Sequence, residues 1–111
     1  MIRELLNHLD AQGGATLNTD LEHADLNHGY MVSLQGHEKT LKPGDLSLEL
    51  LNEYKHKAQD LGGYVGLWLE DNILYLDIST VHYSYRVAMY NAKKNNQKAI
   101  YDLANKKTIY V

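Results

Sequence analysis

His23, Asp25, His28 and His37 crowd one polar stretch of the chain. Imidazole and carboxylate are good ligands for zinc and other borderline metals, so a metal site is the chemistry such a group could support. Their spacing matches no closed zinc pattern, and histidines that are mostly neutral near pH 7 sit together without a metal. They are expected to be solvated or capping side chains. Asp77, Ser79 and His82 have the residue types of a hydrolase triad. Nucleophilic catalysis needs Ser, His and Asp in a hydrogen-bonded row beside an oxyanion hole. No G-x-S-x-G elbow is present, and a triad confined to so short a stretch is poorly placed for that geometry. The segment reads instead as a strand end leading into a helix. There is no Walker A sequence and no G-x-G-x-x-G, hence no phosphate cradle. Zero cysteine excludes a thiol nucleophile, a Cys-ligated zinc site, an iron–sulfur cluster and a disulfide scaffold. The expectation is a non-enzymatic protein with no catalytic residue, no metal and no cofactor.

Two groups of residues read as binding surfaces. Residues 78–111 carry Arg86, Lys93, Lys94, Lys98, Lys106 and Lys107 against Asp102 alone, a net +5, whereas residues 1–77 carry −8. Tyr83, Tyr85, Tyr90, Tyr101 and Tyr110 are interleaved with those cations. Lys and Arg would meet phosphates and tyrosines would stack on bases, which makes nucleic acid the alternative partner. A pI near 6.0 and only six basic residues weigh against it, and two solvated faces are the plainer account of the asymmetry. Tyr85 is expected on an apolar helix stripe rather than in solvent. The acidic part is too dilute in carboxylates to mimic a nucleic acid. The second group is Tyr64, Trp68, Tyr75 and Asp77, which share one face of a hairpin with Gly66. Aromatic residues dominate interface hot spots because they bury much area at little entropic cost, so this face is the candidate protein-binding patch. The competing expectation is that another segment covers it.

The hairpin that positions this patch is the most informative stretch. Two apolar runs flank Asp71-Asn72, a pair suited to a two-residue turn. In that register Leu69 opposes Leu74, Leu67 opposes Leu76 and Val65 opposes Ile78, while Trp68 meets Tyr75 and Gly66 meets Asp77. One face is wholly aliphatic and the other mixed, and a one-residue slip would scramble the sorting. Ile2, Leu5, Leu6 and Leu9 predict a first helix stopped by Gly13-Gly14. Residues 15–18 and 29–34 read as strands, residues 19–28 as a loop, and Pro43-Gly44 as a break. Ser47 caps a second helix with Glu49 in its first turn and a Leu46/Leu51 staple, and Gly62-Gly63 stop it. A third helix starts after Ser84, follows Tyr85, Ala88, Met89 and Ala92, and ends at Asn95-Asn96. Residues 98–103 and 107–111 read as the last two strands. The order αββαββαββ predicts an α+β fold, an antiparallel sheet of hairpins with about three helices packed mainly on one face.

With 111 residues, 44% hydrophobic and 23% charged, the chain is long enough for one real core and is expected to form a single domain over residues 1–111. The start lacks the apolar run of a signal peptide, and no stretch approaches a membrane span, so a cytoplasmic location without membrane association is expected. Nine tyrosines and one tryptophan, with no phenylalanine, mean that every aromatic carries a polar handle.

Gly-Tyr-Val-Gly-Leu-Trp-Leu-Glu at 63–70, Leu-Tyr-Leu-Asp-Ile-Ser at 74–79 and Asn-Asn-Gln-Lys-Ala-Ile-Tyr-Asp-Leu at 95–103 resemble a widespread group of small proteins and modules encoded by bacterial phages, plasmids and integrative elements. Gly-Gly-Ala-Thr-Leu-Asn at 13–18, Gly-Tyr-Met-Val-Ser-Leu at 29–34 and Gly36-His37-Glu38 fit the same pattern. The resemblance carries no established activity. Tyr83, Ser84, Tyr85 and Arg86 stand where acidic residues are common in that group. The resemblance implies a mobile-element protein. The expected function is a small protein-interaction protein that binds a host or mobile-element protein, as an inhibitor of a host defence system of the anti-CRISPR or anti-restriction type. Self-association into a homo-oligomer is left open.

Overall fold

Asp71 and Asn72 both adopt left-handed backbone conformations, with φ of 52° and 60°. Two successive positive values are what a type I′ turn requires, and Asp and Asn tolerate them better than other side chains. They join β4 (Tyr64–Glu70) to β5 (Ile73–His82) in a computed structural model that describes all residues, Met1–Val111. Every strand pairing is antiparallel, and three helices accompany seven strands, an α+β fold as the hydrophobic pattern predicts. The chain divides into two compact units, one of Met1–Ala24 with His37–Ile78 and one of Asp25–Gly36 with Ser79–Val111.

In the first unit, α1 (Ile2–Gln12) ends where Gly13 turns left-handed and its N–H donates to the Leu9 carbonyl at 2.8 Å. The chain then enters β1 (Gly14–Leu17), which pairs with β4 in the register Gly14↔Trp68, Ala15↔Leu67, Thr16↔Gly66, Leu17↔Val65. β3 (Lys39–Leu41) pairs with β5, placing Thr40 opposite Tyr75 and Leu41 opposite Leu74. A 3-10 turn at Pro43–Asp45 leads to α2 (Leu48–Leu61). The Ser47 hydroxyl accepts the Leu50 N–H at 3.1 Å, and Leu46 and Leu51, the two arms of the staple, are both buried. Val65, Leu67, Leu74, Leu76 and Ile78 are buried, with Leu5, Leu9, Leu51, Tyr54 and Ala58 supplied by the helices. α1 packs on β1 and β4, and α2 on β4. The helices of this unit thus cover the aliphatic face of the hairpin.

In the second unit, β2 (Tyr30–Ser33) lies between the last four residues of β5 and β6 (Ala99–Asp102), and β7 (Lys107–Tyr110) pairs with β6. α3 (Tyr85–Lys94) starts on Ser84, whose hydroxyl accepts the Val87 N–H at 3.3 Å. Val32 and Ile100 on the strands close against Ala88 and Ala92 of α3, with Tyr30, Met89 and Ile109 at the margin. Alanines at the contact allow the helix backbone to approach the strands closely, so few large side chains are needed here.

Two expectations are corrected. The 3-10 turn at Pro43–Asp45 falls on the expected break at Pro43-Gly44, but the strand β3 was not anticipated. β3 is three residues long, two of them exposed, and shows no alternation to read. Tyr85 lies on the Ala88/Ala92 side of α3 with its ring edge-on to Tyr30 at 5.6 Å between centroids, yet about half of it stays exposed. Tyr85 opens the helix, so it packs on one side only.

Candidate functional site

On β4 and β5 side chains alternate between faces, so the residues not buried beneath the helices form the opposite face. There the two-residue turn puts Trp68 opposite Tyr75. Trp68 is 61% exposed and Tyr75 40% exposed, while Tyr64 and Asp77 are half-buried. The structure thus leaves the Trp68/Tyr75 face open rather than covered within its unit. The reason lies in the neighbours. Trp68 stands between Gly14 across the β1 ladder and Gly66 two residues before it, and neither has a side chain to shield the indole. Thr40 of β3, on the other side of Tyr75, is exposed as well. One cross-strand row therefore reads Gly14, Trp68, Tyr75, Thr40.

The row behind it reads Thr16, Gly66, Asp77. A Cβ at Gly66 would land on Asp77 Oδ1, so the glycine provides the room that the carboxylate occupies. Asp77 in turn, with Glu53, adds to the burial that raises the Tyr54 phenol above its ordinary pKa, burial being the larger cause. Tyr54 keeps its proton and donates it to the His37 carbonyl at 2.7 Å. Thr16 and Thr40 were missed in the sequence. The first had no readable partner strand, and the second lies on the unanticipated β3.

The second unit presents the basic group. Arg86, Lys93, Lys94, Lys98, Lys106 and Lys107 are all exposed, and so are Tyr83, Tyr85, Tyr90, Tyr101 and Tyr110. They are not equivalent. Lys107 pairs across the ladder with Asp102, which is only 6% exposed. The Asp102 carboxylate accepts from Asn105 Nδ2 at 2.8 Å and from the Asn105 and Ala104 N–H groups at 3.2 and 3.1 Å. Those bonds, the Asn105 side chain first, hold its pKa below the usual carboxylate range, and Lys107 adds a smaller pull. Asp102 thus locks the β6–β7 turn and offsets one of the cations.

The triad residues do not assemble. Alternation along β5 sends Ser79 and His82 to opposite faces. Ser79 is buried with its hydroxyl 3.4 Å from that of Ser33, and His82 Nε2 is 2.8 Å from Thr80 Oγ1. Nor do three or more metal-ligating side chains gather in either unit. His23 packs against His8 with tilted rings, centroids 4.4 Å apart, and His28 likewise against Tyr83 at 5.0 Å. No helix is long and apolar enough to cross a membrane. Comparison with family models, with curated proteins and with solved structures finds no match.

Proposed function

We propose that the protein is a non-enzymatic binding module that takes a protein partner on the open face of its first unit. Trp68 and Tyr75 are the anchors, with Tyr64 and Asp77 beside them. The observation that carries this reading is a tryptophan 61% exposed directly across the ladder from an exposed tyrosine. Both rings stand on regular strands rather than on a loop, so little conformational freedom is lost when they are buried by a partner. Large, stiff aromatics in such a position are what interface hot spots are made of. The resemblance noted above makes a mobile genetic element the proposed setting; the proposed partner is a host or mobile-element protein, and antagonism of a host defence system is the proposed outcome. The test is affinity capture from host lysate with the wild type and with a Trp68→Ala/Tyr75→Ala variant of unchanged circular dichroism. A protein held by the first and lost by the second supports the reading. An identical set captured by both removes the patch.

A second reading, a nucleic-acid-binding accessory, is favoured by the exposure of every one of the six cations together with five tyrosines in the second unit. That unit carries six basic residues against Asp25 and Asp102, whereas the first carries five against twelve. Retention of DNA or RNA at low salt, lost in Lys93→Ala/Lys94→Ala/Lys98→Ala, is the expected result. Absence of retention at low salt removes this reading.

A further inference from the structure

The charge of the second unit concentrates on one arc of α3. With 3.6 residues per turn, Arg86, Tyr90, Lys93 and Lys94 fall within about a third of the helix circumference, opposite the buried Ala88 and Ala92. Arg86, Tyr90 and Lys94 follow one another at steps of about 6 Å along the axis, a ring between two cations. Tyr90 is 65% exposed. No residue from Tyr85 to Lys94 is acidic, so none of the three cations has a carboxylate three or four positions away on its own helix to neutralise it. Lys98, a turn's length beyond the helix end, is exposed too.

We propose that this face of α3 binds single-stranded nucleic acid. Arg86, Lys93 and Lys94 meet the phosphate backbone, and Tyr90 stacks on an unpaired base. The proposal rests on the nucleic-acid reading above and narrows it in two ways. The positive arc matches a polyanion, and the ring at its centre selects the single strand, because a duplex keeps its base faces inside the stack whereas a single strand offers them. Lys107, offset by Asp102, falls outside the contact set.

Fluorescence anisotropy of a labelled oligothymidylate and of a duplex of equal length, titrated with the full chain over a range of salt, tests this. Tighter binding to the single strand is expected. Each cation replaced by alanine at 86, 93 or 94 should reduce the slope of log affinity against log salt by roughly 0.7. Tyr90→Ala should weaken binding about tenfold with the slope unchanged, and Tyr90→Phe should keep most of the affinity. All these positions are exposed, so circular dichroism should not change. Duplex bound as tightly as single strand, with Tyr90→Ala silent, overturns the inference and leaves the nucleic-acid reading standing. So does a Tyr90→Phe loss as large as that of alanine. Heparin bound as tightly as the oligothymidylate overturns it by showing charge alone at work. No retention of either nucleic acid at low salt overturns both.

Discussion

In the first unit Leu74, Leu76 and Ile78 of β5 and Val65 and Leu67 of β4 lie beneath two helices that add Leu5, Leu9, Leu51, Tyr54 and Ala58, all buried. In the second, two strand residues, Val32 and Ile100, meet two alanines of α3. The first unit holds Tyr54 inside by giving its hydroxyl a carbonyl partner, while the second leaves five tyrosines in solvent. The difference shows how a chain without phenylalanine uses its aromatics. Where aliphatic residues are plentiful they make the core, and a tyrosine enters only if its phenol is satisfied. Where the contact is made by alanines, one ring, Tyr30, packs at the margin and the other five tyrosines stay exposed among the cations.

The largest expected effect probes the two cores. Leu76→Ala removes a fully buried side chain from the first unit and should cost about 3 kcal/mol in urea unfolding, while Ile100→Val in the second should cost about 1 kcal/mol. A larger loss from Ile100→Val would break the contrast. Next is the row behind the aromatic pair. Gly66→Ala drives a methyl into the Asp77 carboxylate and should cost roughly 1 kcal/mol, with much of it recovered in Gly66→Ala/Asp77→Ala. Additive losses in that cycle would mean the two do not touch. Removing either cap, Ser47→Ala in one unit or Ser84→Ala in the other, should cost about 1 kcal/mol and by similar amounts, since both hydroxyls accept an N–H three residues on. A marked inequality would show that one helix depends on its cap and the other on packing.

The smallest and most specific effect is in pH. Asp102 has a folded pKa below its unfolded value, so its contribution is present above the unfolded carboxylate range and is lost as pH falls through the folded value. Asp102→Asn should therefore flatten the acid limb of the stability profile below about pH 4. An acid limb unchanged in Asp102→Asn would place the acid sensitivity elsewhere.

Legibility in the sequence followed the range of the signal. The β4–β5 hairpin was readable to the residue because seven alternating positions on each side of Asp71-Asn72 permit one register only. Gly66 lying against Asp77 agrees with it. The helices were readable because Ser47, Ser84, Gly13 and Gly62 are local signals whose partners lie within a few residues. β3 was not readable, because a three-residue edge strand is defined by its partner β5 and not by its own pattern. The degree of exposure of Tyr85 was not readable for a related reason: its spacing puts it on the Ala88/Ala92 side of α3, but spacing carries no information on what else packs there.

Turn chemistry, caps and alternation are short-range and act through the backbone of a few neighbouring residues. The sequence by itself therefore determined the elements, the hairpin register and the sorting of Val65, Leu67, Leu74, Leu76 and Ile78 from Tyr64, Trp68, Tyr75 and Asp77. Whether another segment would cover the mixed face, how small neighbours such as Gly14 would leave Trp68 bare, and whether tyrosines beside lysines would point outward depend on residues far apart in the chain. Only the tertiary structure decided them, because burial is a property of what packs against a side chain and not of the side chain itself.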